Sequence, residues 1–473
     1  MRIIYIYFTL IIFANTGFAQ SYNIKFKISG ITDSIAVLGY HYGNKKYVTD
    51  TVVLSKNQGV FKGDKALPHG MYFILFPKEN NFFDILIDSD QNFSLTTDST
   101  EYFRKNLKFK GSEANTEFKN FDKSIEDVNN QFMELTEKFK KKDLSKKEKK
   151  ELQAKATQLE TQRREIILNN YNNAKNSTFK SIIGLLLEPK IPELVISENT
   201  TNKDSLLKIK EYYYYKNHYF DYVNFSDSAI VRSPFFIPKF EKYISKIISQ
   251  NPDTVSKECI KYIEKSRGNR AVFSYLINYS LIYNEKAKLM GMDRVFVDIA
   301  KKYYATGEAT WADSSYKAKV IDKMKKTEPN LIGNYAPDIR NVETYDGKTI
   351  SLSEVKNDYK IIVFWSPTCG HCKKSVPKLY EIYNELKSQK IDIEVFAVLE
   401  SRDVAKWRKF IDDKEITEWL NIYDKTEKSY FHYYYDIFST PVIYVLDKNF
   451  KIIAKRISEE QARDYILQLE KSK

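Results

Sequence analysis

Two cysteines three residues apart, Cys369 and Cys372, carry the most definite chemistry in the sequence. They lie in the run Ile361-Ile362-Val363-Phe364-Trp365-Ser366-Pro367-Thr368-Cys369-Gly370-His371-Cys372. The apolar residues Ile361–Phe364 predict a buried strand, Pro367 a turn, and the cysteine pair the opening of a helix. Two thiols so placed can close a small disulfide ring with little backbone movement. Unpaired N–H groups and the dipole at a helix N-terminus favour thiolate over thiol at the first sulfur. That chemistry is thiol–disulfide exchange. The competing use of Cys-x-x-Cys, a zinc site, needs a second Cys or His pair, and the sequence offers none. The third cysteine, Cys259, sits in the amphipathic helical stretch Lys257–Ile263 and is expected to be a buried, inert thiol. A regulatory or intermolecular thiol is the alternative.

What positions this pair must be found in the rest of a 473-residue chain that is 42% apolar and 29% charged, enough for several domains with real cores and too apolar for disorder. Residues 1–19 read as a secretory signal peptide: Arg2, an apolar core, then Gly17 and Ala19 at −3 and −1 of a cut. The alternative, a membrane-anchoring helix, is disfavoured because the apolar run falls short of the ~20 residues that a span needs. The expected location is therefore the periplasm or cell envelope, soluble after cleavage. The formal charge is +13, but Lys residues are mixed with Asp and Glu, as on a solvated surface, so nucleic acid is not an expected partner.

Residues 20–112 carry short β-type runs, Asn23–Ile28, Ala36–Tyr42, Tyr47–Leu54, Met71–Phe76, Phe82–Ile87 and Phe93–Thr97, and predict an all-β antiparallel sandwich or small barrel. Residues 113–326 are all-α by pattern. Phe121, Ile125, Val128, Phe132, Leu135 and Phe139 form a seam; Ser145 with Glu148 is a capping box opening a helix that bears Leu152, Ala156, Leu159 and Ile166. An antiparallel helical hairpin is expected, with an extended coiled-coil dimer as the alternative. The tyrosines Tyr212–Tyr215 cannot share one helix face, so some are exposed or meet another surface. Residues 327–473 alternate strand and helix, an α/β domain: strand 361–364, helix 370–387, strand 393–398, a helical stretch 403–413, strands 442–446 and 451–455, and a closing helix 461–469.

Residues 333–473 resemble the thioredoxin-like domain of exported TlpA/ResA-type thiol–disulfide oxidoreductases. The resemblance rests on Gly333-Asn334-Tyr335-Ala336-Pro337-Asp338, on Phe364-Trp365 before Cys369-Gly370-His371-Cys372, on Pro377, and on Thr440-Pro441. The preceding regions resemble the companions of such domains in Bacteroidota-type proteins, an N-terminal β-domain and a helical segment. The resemblance implies a redox-active Cys369–Cys372 disulfide and a helix-kinking Pro377. It also implies a cis Thr440-Pro441 bond facing the pair, with Pro441 blocking metal capture. The long distance from Cys369 to Pro441 implies an insert around 400–430. Two positions depart from the pattern. The strand residue six before Cys369 is Val363 where thioredoxins place an acid, and Ser375 stands where ResA-type proteins place Glu. The base that takes the Cys372 proton is therefore not named by the sequence.

In the resulting scheme Cys369 is the nucleophile and Cys372 resolves the mixed disulfide. His371 beside Cys369 is expected to lower its pKa and make the pair less reducing. Trp365 packs below the site, or is plain core. No cofactor or metal is expected. The partners are protein thiols or disulfides and a membrane-borne electron donor or acceptor; oligomeric state and direction of reaction stay open. A peroxiredoxin relative would carry Pro seven before its reactive Cys, and that position is Ile362. The alternative of another class is an envelope protein-binding or assembly module that uses its thioredoxin-like part mainly for docking.

Overall fold

A computed structural model describes residues 21–141, 143–196 and 202–473; the expected signal peptide, 1–19, lies outside them. The described residues form two compact units, the first running up to Ile247 and taking in Lys265–Phe273, the second made of Ile248–Glu264 and Ser274–Lys473.

In the first unit, alternation of apolar and polar residues builds β1 (Tyr22–Ser29), β2 (Ile35–Tyr42), β3 (Lys45–Val53), β4 (Gln58–Gly63), β5 (Gly70–Phe76), β6 (Asn81–Ile87), β7 (Asn92–Asp98) and β8 (Lys108–Lys110). They form two four-stranded sheets, β4-β1-β7-β8 and β3-β2-β5-β6. Ile24, Phe26, Phe61, Phe93 and Leu95 of one sheet share a core with Tyr72, Ile74, Phe83 and Ile85 of the other, so the domain is a β-sandwich. It is not wholly antiparallel: β1 and β7 pair in parallel from Asn23↔Asn92 to Ser29↔Asp98. The sequence had not marked β4 or β8, because β4 sends Gly59 and Phe61 inward and β8 has three residues.

Helices follow: α1 (Glu113–Phe139), α2 (Lys146–Asn173), α3 (Ser177–Gly184), α4 (Lys203–His218) and α5 (Phe236–Lys242), the last continued by a π-turn to Ile247. Ser145 and Glu148 make the reciprocal capping box. Val128, Leu135 and Leu159 bury the α1–α2 seam with Phe132, Leu152, Ala156 and Ile166. Phe121 and Ile125 turn instead to Phe179 and Ile182, and Phe139 is exposed.

The second unit takes most of α6 (Pro252–Lys265) and of α7 (Arg270–Glu285), then α8 (Asp293–Ile299) and α9 (Ser314–Thr327). Next come β9 (Val342–Thr344), β10 (Thr349–Ile350), β11 (Tyr359–Trp365), α10 (Cys372–Ser388), β12 (Ile393–Leu399), α11 (Val404–Lys414), β13 (Leu420–Tyr423), α12 (Phe431–Tyr434), β14 (Val442–Leu446), β15 (Ile452–Lys455) and α13 (Glu459–Glu470). Their sheet runs β10-β9-β13-β12-β11-β14-β15, with β11 parallel to β12 and antiparallel to β14. This is the α/β thioredoxin-like architecture. The stretch 400–430 supplies α11 and β13, and β13 extends the sheet between β12 and β9.

Every residue of β11 is buried, and its two faces serve two cores. Ile361, Val363 and Trp365 join Val376, Leu379 and Leu386 of α10, whereas Ile362 and Phe364 join Phe431, Tyr435 and Tyr444. On α10 the buried Val376, Leu379, Ile382, Tyr383 and Leu386 follow helical spacing on one face. That face fixes the helix so that its first residue, Cys372, lies over the end of β11. Among the described residues no helix is long and apolar enough to cross a membrane.

Candidate redox site

The central strand stops at Trp365, and the chain turns through Ser366-Pro367-Thr368. Cys369 N–H donates to the Ser366 carbonyl at 3.2 Å, and the Ser366 and Thr368 hydroxyls lie 2.9 Å apart. The turn delivers Cys369 half-buried at the mouth of α10, while Cys372 is buried. Both thiols are free. The Cys372 N–H donates to the Cys369 sulfur at 3.4 Å, and the Cys369 thiol lies 3.2 Å from the carbonyl oxygen of Thr440. Thr440-Pro441 is a cis peptide, reached by the loop that enters β14. The structure thus brings Cys369, Gly370, His371, Cys372, Trp365, Thr440 and Pro441 to one end of the sheet. Pro377 lies inside α10, one turn on, where its missing N–H interrupts the helical bonding.

The two sulfurs differ in character. Burial alone would raise the Cys369 thiol. Hydrogen bonds from the Cys372 backbone, the Cys372 and Thr440 side chains and the His371 backbone outweigh it, and the pKa is lowered. The contribution of His371 is its backbone N–H; the exposed imidazole is not among these causes. Burial pushes Cys372 up to about 11, against lowering bonds from the Thr440 side chain and the Ser366 backbone. An outer thiol that ionises readily and an inner thiol that holds its proton are what an attacking and a resolving cysteine need.

No carboxylate is among the largest influences on the Cys372 thiol. Val363 lies in the same apolar cluster as Cys372, so the strand position that would carry an acid is plain core here. Trp365 is fully buried against Phe410, ring centroids 5.1 Å apart, and its indole N–H has no acceptor among the described residues. Cys259 stands apart on α6, fully buried, its thiol pushed up to about 12 by burial. Among the described residues no group of three or more His, Cys, Asp or Glu could hold a metal ion.

Sequence reasoning missed Ser366, whose backbone acts on Cys372, and the segment that leads into Thr440. Its signal was visible: Tyr430-Phe431-His432-Tyr433-Tyr434-Tyr435 is dense in aromatics just before the Thr-Pro pair. Outside the redox site, the first unit contains a cavity of about 780 Å³ floored by Phe83, Phe118, Phe121 and Ile182 and edged by Asp122 and Arg163. None of the sequence-predicted site residues line it.

Three stretches of the chain match known protein families. Residues 332–455 match the AhpC/TSA family, residues 22–118 a domain of unknown function (DUF4369), and residues 140–330 a second domain of unknown function (DUF5106). The thiol-disulfide oxidoreductase ResA of Bacillus cereus is 27% identical over 154 residues, which is 32% of this chain and 83% of that protein. Among solved structures, a domain of a possible thiol-disulfide isomerase from Cytophaga hutchinsonii ATCC 33406 is 41% identical and covers 30% of this chain and 95% of its own, with TM-score 0.28. A thioredoxin-like protein from Bacteroides caccae ATCC 43185 is 19% identical over 59% of this chain and 97% of its own, with TM-score 0.47. The fold and the family match define a thioredoxin-like oxidoreductase domain. Within that class, the chain's C-terminal domain is similar to ResA-type thiol–disulfide oxidoreductases.

Proposed function

We propose that the protein is an exported thiol–disulfide oxidoreductase that exchanges disulfides with protein substrates through the Cys369-Gly370-His371-Cys372 pair. The observation that carries this reading is the asymmetry of the two thiols: Cys369 is accessible and lowered in pKa, while Cys372, three residues on, is buried and raised to about 11. Export is supported by the Arg2-led apolar run that ends at Gly17-Phe18-Ala19.

In the reductive direction the Cys369 thiolate attacks one sulfur of a substrate disulfide. A Cys369–substrate bond forms, and the other substrate sulfur leaves with the electron pair and takes up a proton. Cys372 then gives up its proton and attacks the Cys369 sulfur, releasing the second substrate thiolate. Two electrons pass to the substrate, and the pair ends as a disulfide. A dithiol donor at the membrane restores it, or in the reverse direction a disulfide acceptor recharges it. Thr440 holds the reacting sulfur from its carbonyl side, Pro441 keeps an N–H out of the site, Trp365 supports it from below, and Pro377 bends the helix that carries it.

The test is turnover of insulin disulfides with dithiothreitol as reductant. Cys369→Ser should abolish it and Cys372→Ser should accumulate a mixed disulfide on Cys369; undiminished turnover in Cys369→Ser sinks the assignment.

A further inference from the structure

The segment from Tyr430 to Thr440 carries two kinds of aromatic residue. One kind anchors it. Phe431 stacks on Phe364 with centroids 5.5 Å apart, and Tyr435 packs on Phe364 and Tyr444 while its hydroxyl donates to the Pro337 carbonyl at 2.6 Å. Beside these, Asp436 pairs with Arg456 and accepts from the Thr327 hydroxyl at 3.4 Å, and the Asn330 amide donates to the Tyr434 carbonyl. The segment is therefore a strap fixed from beneath.

The other kind faces outward. Tyr430 is 57% exposed, Tyr433 73%, Tyr434 48% and Phe438 90%. A single exposed apolar side chain is ordinary. Four exposed aromatics on nine residues of a strap pinned by named bonds are a local concentration of apolar surface, and such surface marks interaction sites; the Phe438 ring also lies 5.9 Å from the Lys323 ammonium. The patch also leads to the chemistry. Phe438 is two residues from Thr440, a chain reach of at most ~7 Å, and the Thr440 carbonyl is 3.2 Å from the Cys369 sulfur.

We infer that this strap selects the substrate: it takes a polypeptide whose reacting cysteine is flanked by aromatic or aliphatic side chains, with Phe438 and Tyr433 as the specificity-determining residues. The inference rests on the exchange reading above. A polypeptide bonded to Cys369 runs past Thr440 and meets Phe438 within a few residues, whereas a small polar disulfide meets nothing there. A second copy of this chain seated on the patch would cover the neighbourhood of the reactive thiol. The continuity of patch and thiol therefore favours a substrate as occupant. Tyr and Phe suit the task, giving large contact area for little lost side-chain freedom.

The experiment uses the reduced full chain and two synthetic peptides, each with one cysteine disulfide-bonded to thionitrobenzoate. In one the cysteine is flanked by Leu and Phe, in the other by Ser and Gly. The Cys369 thiolate attacks the peptide sulfur, the peptide–thionitrobenzoate bond breaks, and thionitrobenzoate leaves with the electron pair. Cys372 loses its proton to solvent, attacks Cys369 and releases the peptide thiolate. The protein pair is oxidised by two electrons and the mixed disulfide reduced by two, so no other reductant is needed. The apolar peptide should react at least about fivefold faster than the polar one, since a ring buried against an apolar flank is worth about that factor. The ratio should fall towards one in Phe438→Ser and in Tyr433→Ser, and persist in Tyr213→Ser, which alters an exposed tyrosine on α4. A ratio near one in the unaltered protein, or an unchanged ratio in both strap variants, overturns the inference while leaving exchange standing. A dimer in sedimentation that Phe438→Ser dissociates, with the peptide ratio unchanged, assigns the patch to a second copy and also overturns it. Absence of thionitrobenzoate release from either peptide, or release that survives Cys369→Ser, defeats the exchange reading itself.

Discussion

The Cys369 thiol lies 3.2 Å from the carbonyl oxygen of Thr440, while the N–H of Cys372 approaches the Cys369 sulfur at 3.4 Å. The first contact needs a proton on the sulfur; the second strengthens when that proton leaves. Burial opposes ionisation, but the N–H donors and the Thr440 side chain prevail, so Cys369 titrates below its ordinary value of 9.0. Alkylation of Cys369 by iodoacetamide, followed against pH, should therefore show its inflection below 9.0. Thr440→Val removes the side-chain donor and keeps the carbonyl, so the inflection should move to higher pH. An unmoved inflection would mean that the backbone donors alone set the thiolate.

Cys372 presents the opposite case, with burial raising it to about 11 and no carboxylate among the largest influences on it. Its thiolate fraction grows about tenfold per pH unit below that value. Mixing the reduced protein with one equivalent of 5,5′-dithiobis(2-nitrobenzoate) should release thionitrobenzoate in two phases, attack by Cys369 and resolution by Cys372. The second phase should accelerate about tenfold per unit from pH 7 to 10 and vanish in Cys372→Ser. A second phase independent of pH would require a general base beside Cys372.

Those two thiols also show what sequence can carry. Strand, turn and helix around Cys369 were legible because a buried run, a proline and an amphipathic seam are all local signals. The missing acids were equally legible, since Val363 and Ser375 are identities at fixed spacings. The cause of the lowered Cys369 pKa was not. The imidazole next door suggested itself, whereas the bonds come from backbone and from Thr440, brought in by β14 from far along the chain. The parallel β1–β7 pair escaped for the same reason, because strand direction depends on which edge the chain returns to. The strap went unread because the anchoring rings Phe431 and Tyr435 and the outward rings Tyr433 and Phe438 are one residue class, divided only by packing.

Trp365 contributes bulk but leaves its indole N–H without an acceptor among the described residues. An orphaned buried donor costs about 1–3 kcal/mol, comparable to the cost of the small cavity left by a smaller ring. Trp365→Phe should therefore change stability in chemical denaturation by no more than about 1.5 kcal/mol, whereas Trp365→Ala should lose about 3–5 kcal/mol. Insulin-disulfide turnover should survive the Phe variant, since its aromatic body still faces Phe410. A loss above about 3 kcal/mol for Trp365→Phe would show that the indole N–H has a partner worth a full buried hydrogen bond.

Cys259 offers a test of the fold that is independent of the redox site. It is fully buried on α6, and burial raises its thiol from 9.0 to about 12. A group whose folded pKa is raised stabilises below its unfolded pKa and loses that contribution as pH climbs towards the folded value. The window here runs from about 9 to about 12. Between pH 8 and 10.5 the thiol should withdraw about 2 kcal/mol of stability, at 1.36 kcal/mol per unit of difference. Other groups titrate over the same range, so the quantity to compare is the urea midpoint of the natural protein against that of Cys259→Ala. The variant starts less stable because of the cavity, and the gap between the two should narrow as pH rises from 8 to 10.5. A gap that stays constant would mean that Cys259 is reached by solvent in the folded chain, and the thiol would then react with 5,5′-dithiobis(2-nitrobenzoate) without denaturant.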